Sequence, residues 1–248
     1  IQETMNRSRE PLNFEIEGYQ LKASIDLNIT ESRAANVVGI IKSGNRKYRD
    51  EYVVIGAHFD HIGYGGAGSG SRSPKENTIH PGANDNASGT AGLLELAQKL
   101  SANKGRLKRS ILLVGFDAEE KGLLGSKYFV EKPTLPLTQI KTMINMDMIG
   151  RVKDSVVNIG GVGTSPVFRP LLDSLKFMHP LKLTLSDAGL GPSDHASFYT
   201  NEIPVLFFFS GFHDEYHTPE DTWKKINLRG EKDILNLVYD IVYNLSRL

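Results

Sequence analysis

Four runs of apolar and β-branched residues dominate the pattern along the chain: Tyr52 to Ala57, Ser110 to Phe116, Ile140 to Met146 and Ile203 to Phe209. None alternates cleanly between polar and apolar positions, which predicts strands buried on both faces. Val37 to Ile41 and Ser155 to Ile159 predict two further strands. Between them the period changes. Ala87 to Leu100 brings Leu93, Leu94, Ala97 and Leu100 onto one helical face, and Ile234, Leu237, Val238, Ile241, Val242 and Leu245 form the apolar stripe of a C-terminal helix. Strands alternating with helices predict an α/β fold, with a largely parallel or mixed sheet covered on both faces.

Two stretches depart from this alternation. Residues 1–30 are polar and end in Leu21-Lys22-Ala23-Ser24-Ile25-Asp26-Leu27, whose alternation predicts an edge strand. Gly63 to His80 reads as a long irregular loop beginning Gly63-Tyr64-Gly65-Gly66-Ala67-Gly68. That word satisfies the G-x-G-x-x-G dinucleotide pattern and follows a strand, but the pattern works only where a helix N-terminus comes next to hold the pyrophosphate. Here Ser69-Gly70-Ser71-Arg72-Ser73-Pro74 follows and cannot start one. A flexible loop at the mouth of a site is the better account.

Composition narrows the function classes. The 248 residues suit one large α/β domain, and 29 basic residues balance 29 acidic ones, giving no basis for a polyanionic partner such as nucleic acid. The longest apolar run, Ile203 to Phe209, is far too short to insert into a membrane. With no cysteine, thiolate metal sites and a cysteine nucleophile are excluded. Chemistry must come from carboxylates, histidines and hydroxyls.

Those residues cluster in five short words, each close to the end of an apolar run: Ala57-His58-Phe59-Asp60, Ala83-Asn84-Asp85-Asn86-Ala87, Asp117-Ala118-Glu119-Glu120, Asn145-Met146-Asp147-Met148 and Tyr216-His217-Thr218-Pro219. Strand ends are where α/β enzymes gather their reactive groups. Two histidines and three carboxylates brought together there would suit zinc. Each word also has an ordinary reading. Asp85 precedes a helix and would serve as an N-cap or Asx-turn; Glu119-Glu120 would serve as a solvated acidic loop; His217 alone would be a surface histidine. Asp147 is the exception, because a charge inside Met143-Ile144-Asn145-Met146-Asp147-Met148-Ile149 must be paired or bound to metal. Asp60, two residues after His58, is placed to fix that ring's tautomer. His61, a neighbour in the same run, is expected to point away. Tyr216 is a candidate oxyanion donor, with a packed core tyrosine as the alternative.

Taken in order, the five words resemble those of the M28 family of zinc peptidases, the co-catalytic aminopeptidases related to bacterial leucyl aminopeptidase, from about Asn36 to the C-terminus. The resemblance implies a three-layer α/β sandwich with a central, mostly parallel mixed sheet flanked by helices, and a site holding two Zn2+. By the same resemblance His58 and Asp147 hold one zinc, Glu120 and His217 the other, Asp85 bridges them and Glu119 is the general base. A cis peptide between Asp85 and Asn86 is also implied. Four zinc charges against three carboxylates leave room for one bridging hydroxide, the species that would attack a peptide carbonyl. Ser193-Asp194-His195 cannot be a serine-protease triad, whose members converge from separated positions. The resemblance puts this word at the site rim, with Asp194 behind the ligands and His195 beside substrate or a ligand.

The expected activity is removal of N-terminal residues from peptide substrates. A glutaminyl cyclase with one zinc and a carboxypeptidase share this fold, and a non-catalytic binding domain is a remoter alternative. Residues 1–35 read as a lead-in packing on a catalytic domain of residues 36–248. A start at Ile1, with the leader and protease-associated domain common among bacterial members, implies a trimmed chain and a periplasmic or extracellular address.

Overall fold

The computed structural model describes residues 18–20, 22–26, 31–73 and 77–248. The chain divides into two compact units, residues 1–33 and 34–248. The first has no helix or strand among its described residues, so the edge strand expected over residues 21–27 is absent from residues 22–26; Leu21 and Leu27 lie outside the described residues.

Among its described residues the second unit holds nine strands, in chain order β1 (Val37–Ile41), β2 (Tyr52–His58), β3 (Gly63–Gly65), β4 (Asn77–His80), β5 (Ser110–Phe116), β6 (Ile140–Met146), β7 (Val156–Gly160), β8 (Lys182–Leu185) and β9 (Val205–Phe209). Five α-helices accompany them: α1 (Gly89–Ala102), α2 (Leu124–Glu131), α3 (Phe168–Leu175), α4 (His195–Tyr199) and α5 (Leu228–Leu245). Seven strands form one sheet in the order β1-β5-β2-β6-β9-β7-β8. The four central strands, β5, β2, β6 and β9, run parallel, whereas β1 and β7 pair antiparallel to their inner neighbours and β8 runs parallel to β7.

Side-chain alternation splits the core into two layers. Val53 and Ile55 of β2, Ile111 of β5, Ile144 of β6 and Phe208 of β9 pack on α1, α3 and α5. Tyr52, Val54, Leu112, Val114 and Met143 point the other way, against Phe129 of α2 and Phe198 of α4. This is the three-layer sandwich, and every residue of β2 is buried because helices cover both of its faces. Gly56 shows how tightly: a Cβ there would meet the Phe116 ring at 2.5 Å and Met143 at 2.9 Å.

The helices and strand that the pattern missed are short or amphipathic only in part. β8 is four residues of half-exposed edge, and α2, α3 and α4 have eight, eight and five residues, too few turns for a stable period. Gly63–Gly65 and Asn77–His80 correct another expectation. They pair as a two-stranded antiparallel ribbon, so part of the presumed irregular loop has regular structure. Among the described residues no helix follows the glycine-rich word, and the dinucleotide reading fails on geometry as it did on sequence.

Candidate metal centre

Parallel β2, β5, β6 and β9 release the chain at the same edge of the sheet, the carboxyl end, where open α/β sheets form their binding crevices. His58 is the last residue of β2, Glu119 and Glu120 lie just past β5, Asp147 directly follows β6, and His217 lies on the segment after β9. Asp85 arrives from the turn before α1. All six residues assigned as ligands or base thus converge.

The Asp85 turn is built by its neighbours. The Asn84 side chain accepts the Gly150 amide at 2.8 Å, and Ser88 Oγ accepts the Ile149 amide at 3.1 Å. Asn86 Oδ1 accepts the amides of Gly89 and Met148, while its Nδ2 donates to the Met146 carbonyl. The word Asn-Asp-Asn-Ala-Ser is therefore a clasp that ties Asp85 to the segment carrying Asp147. The Asp85–Asn86 peptide is cis. On the other side Asp221, fully buried, accepts the amides of Asn84 and Asp85 at 2.9 and 3.1 Å. Nothing local to Asp221 in the sequence marks a carboxylate that works 136 residues away.

Two nitrogen-centred groups result. His58 Nε2 lies 3.3 Å from Asp85 Oδ1 and 3.4 Å from Asp147 Oδ1. His217 Nε2 lies 3.0 Å from Asp85 Oδ2 and 3.3 Å from Glu120 Oε2. The two oxygens of Asp85 face different histidines, as a bridging residue requires. Glu119 Oε2 stands 4.0 Å from His58 Nε2, apart from these contacts.

His58 takes its orientation from the Asp60 residue, with Nδ1 at 3.2 Å from the backbone oxygen and 3.5 Å from Oδ1. The Asp60 carboxylate does more than the sequence suggested, because it also accepts the amides of Glu119 and Glu120 at 2.9 and 3.1 Å. His61 does not point away. The strand ends at His58, so its alternation stops there, and His61 Nδ1 donates to Glu120 Oε1 at 2.8 Å. Tyr216 stacks on His217 with ring centroids 3.8 Å apart. Asp194 is buried with neither carboxylate oxygen hydrogen-bonded, and His195 is buried against Phe207 at 4.3 Å between centroids. His195 thus sits behind a ring of the cleft wall.

Without cations the site strains its own protonation states. Burial, with the nearby carboxylates of Asp147, Asp194 and Glu120, pushes Glu119 up to about 9 despite the opposing charge of His58. Burial likewise raises Asp194 to about 7 and lowers His195 to about 4. Burial opposes charge on His217 as well, but its bonds to Asp85 and Glu120 outweigh that and raise it to about 10. Asp85 and Glu120 are correspondingly held low, Glu120 at about 2, against the effect of burial.

The donor set of this cluster suits zinc. Two imidazole nitrogens and three carboxylates are borderline and hard donors of the kind zinc takes. Tetrahedral coordination at about 2.0–2.2 Å implies ligand-to-ligand edges of roughly 3.4 Å. The His58 contacts of 3.3 and 3.4 Å match such edges and are long for hydrogen bonds. His58, Asp85 and Asp147 form one group able to hold a metal ion, and His61, Asp85 and Glu120 form a second beside His217.

The cleft beside this centre measures about 550 Å³ and is lined by Asp85, Glu119, Glu120 and Asp147 together with apolar Met148, Phe207, Phe209 and Phe212, and by Tyr216 and His217. Its wall carries no lysine or arginine among the described residues. Arg151 is engaged with Glu215 at 2.8 Å, and Arg169 with Asp187 at 2.5 Å.

A mixed sheet with a carboxylate-rich, histidine-bearing cleft at its carboxyl edge is a frame of the kind α/β metallohydrolases use. Residues 36–242 match Peptidase family M28, and the chain belongs to that family. It is 29% identical to Aminopeptidase YwaD of Bacillus subtilis, over 90% of this chain and 48% of that protein. With Leucine aminopeptidase 2 of Trichophyton equinum it shares 27% identity, over 80% of this chain and 39% of the relative. Among solved structures, a zinc aminopeptidase from Bacillus subtilis superposes with a TM-score of 0.68 at 27% identity, covering 85% of this chain and 50% of the other. An aminopeptidase from Aneurinibacillus sp. strain AM-1 gives 0.63 at 29% identity, covering 84% of this chain and 46% of the other. The chain therefore spans about half the length, or less, of these relatives.

Proposed function

We propose that this domain is a di-zinc aminopeptidase. His58, Asp85 and Asp147 would hold one ion and His217, Glu120 and Asp85 the other, with Glu119 as general base. The single observation that carries the count of two is Asp85, whose oxygens face His58 and His217 separately, at 3.3 and 3.0 Å. Bound zinc would supply Lewis acidity, polarising the scissile carbonyl and acidifying the attacking water.

The protein residues account for the rest. Glu119 needs only to take a proton from water and return it to the leaving amine, and its carboxylate lines the cleft without being engaged by a histidine at bonding distance. Its backbone is anchored to Asp60, so the base is held by an element other than its own loop. Tyr216 keeps its proton, because burial and the surrounding carboxylates raise its pKa, and lines the same cleft as a donor for a developing oxyanion.

Specificity follows from the wall. A free N-terminal ammonium suits a cleft rich in carboxylates, whereas a C-terminal carboxylate would find no lysine or arginine among the described lining residues. Phe207, Phe209, Phe212 and Met148 favour an apolar first side chain. The substrate in this reading is a peptide with an unblocked, apolar N-terminal residue. Among the described residues no helix is long and apolar enough to cross a membrane. A periplasmic or extracellular address belongs to the same proposal, on family resemblance, and fractionation of the native cells tests it.

The test is a pool of short peptides, unblocked and N-acetylated, incubated with zinc-loaded protein and read by mass. Stepwise loss of N-terminal residues from the unblocked members alone is expected. Loss of ammonia from glutamine-initiated peptides would establish a cyclase instead, and release of C-terminal residues a carboxypeptidase.

A further inference from the structure

The segment between β2 and β3 carries a polar ring that the zinc reading leaves unused. His61 is nearly buried, and its Nδ1 donates to Glu120 Oε1 at 2.8 Å. The other oxygen of Glu120, Oε2, faces His217 Nε2 at 3.3 Å. The two oxygens of one carboxylate are thereby given separate duties. A carboxylate on a loop can rotate about its last side-chain torsion and exchange its oxygens, and a donor fixed on one of them removes that freedom.

His61 is itself tightly held. Its ring meets the His217 ring edge-on at 5.7 Å between centroids. Gly82, at φ +59°, leaves the space it occupies: a Cβ there would lie 2.6 Å from the ring. The same glycine opens the turn that carries Asp85. His61 Nδ1 is also 3.9 Å from Asp85 Oδ2, too far for a hydrogen bond. The ring is thus wedged between the Asp85 turn and Glu120, with its one polar contact on Glu120.

Building on the di-zinc reading, we propose that His61 is a positioning residue, which presents Glu120 Oε2 to the metal position beside His217 through its hydrogen bond to Oε1. Three of four consecutive residues then serve the centre in distinct ways: His58 as ligand, Asp60 through the backbone of Glu119 and Glu120, and His61 through the Glu120 side chain, while Phe59 lies against Gly115.

The test compares the full chain with His61→Phe, which keeps a ring but no donor, and His61→Asn, whose amide can donate from near the Nδ1 position. Zinc binding to ion-free protein is followed by calorimetry, and the visible absorption of the cobalt-substituted protein is recorded. Thermal unfolding of the ion-free forms checks folding, with His61→Leu as a second donor-free variant if Phe is not accommodated. The expected result is one zinc affinity weakened about 10–100-fold in the donor-free variant, the other unchanged, and recovery to within a few-fold in His61→Asn. Unchanged affinities in the donor-free variant would overturn the positioning role, as would an Asn variant no better than Phe or Leu. A cobalt spectrum altered in every variant at saturation would make His61 a ligand and likewise overturn it. If the unsubstituted chain binds no zinc, the di-zinc reading itself fails, and this inference with it.

Discussion

The two halves of the metal centre are built differently. His58 ends a central strand buried on both faces, is 1% exposed, and is oriented by a residue two positions on. His217 lies on the irregular segment after β9, has a left-handed backbone at φ +57°, and takes its orientation from the Gly70 carbonyl at 3.0 Å, on the loop between β3 and β4. One half is therefore a product of the sheet. The other depends on two loops meeting, Arg72 N also donating to the His217 carbonyl at 2.9 Å. Strand-held ligands are fixed by the global fold, while loop-held ligands draw on local stability that is lower. On the di-zinc proposal, the contrast predicts tight retention on the His58 side and exchange on the His217 side.

The strongest way to break this comparison is at Asp85, shared by both halves. If the di-zinc proposal holds, Asp85→Ala should remove both zinc ions, measured by metal analysis after gel filtration, and reduce turnover below detection. Retention of one full equivalent would show that the halves do not share it. Glu119→Gln should lower kcat by about 10²–10⁴-fold with zinc content intact; loss of zinc would move Glu119 from base to ligand.

His217→Ala should abolish one zinc equivalent and leave the other, whereas His58→Ala should lose both or misfold, since it opens a buried position. A graded chelator series on the unsubstituted protein sharpens the same point: release should be biphasic, with the fast phase absent from His217→Ala. A single phase in the unsubstituted protein would contradict the asymmetry.

Protonation provides a milder probe. In ion-free protein the His217 pKa stands at about 10 against an ordinary value of 6.5. A pKa raised by folding contributes stability that is complete below pH 6.5 and lost as pH rises through about 10. The melting temperature of chelated protein should therefore fall between those values, and less so in His217→Gln; equal slopes would remove the histidine as the cause. The smallest effect is expected far from the site. Glu231 on α5 is raised to about 7 by burial, so its cost is absent below pH 4.5 and complete above 7. Glu231→Gln should gain about 1 kcal/mol at pH 8, or roughly 2–4 °C in melting temperature, and nothing at pH 4.

The reach of the sequence can be judged on particular residues. The strands β5 and β6 were legible to the residue, because burial on both faces leaves apolar runs that need no partner to be recognised; the bounds of β1 were legible too, from its β-branched residues, although it is an edge strand and mostly exposed or half-buried. Asp147 was legible for the complementary reason, a charge inside such a run. Asp85 was legible only within a constellation, since its turn is locally indistinguishable from a helix cap. His61 and Asp221 were not legible. Each acts on a residue distant along the chain, 59 and 136 positions away, and periodicity carries no information about such pairs.

By itself the sequence determined the α/β class and the family, because buried strands and the residues at their ends leave local marks, and its resemblance to that family nominated the five candidate ligands. Tertiary structure alone decided that Asp85 divides its oxygens between two histidines, that Asp60 holds the Glu119–Glu120 backbone, and that His61 turns inward once the strand has ended. Those are facts of distance, and distance between loops is set only when the sheet brings its strand ends to one edge.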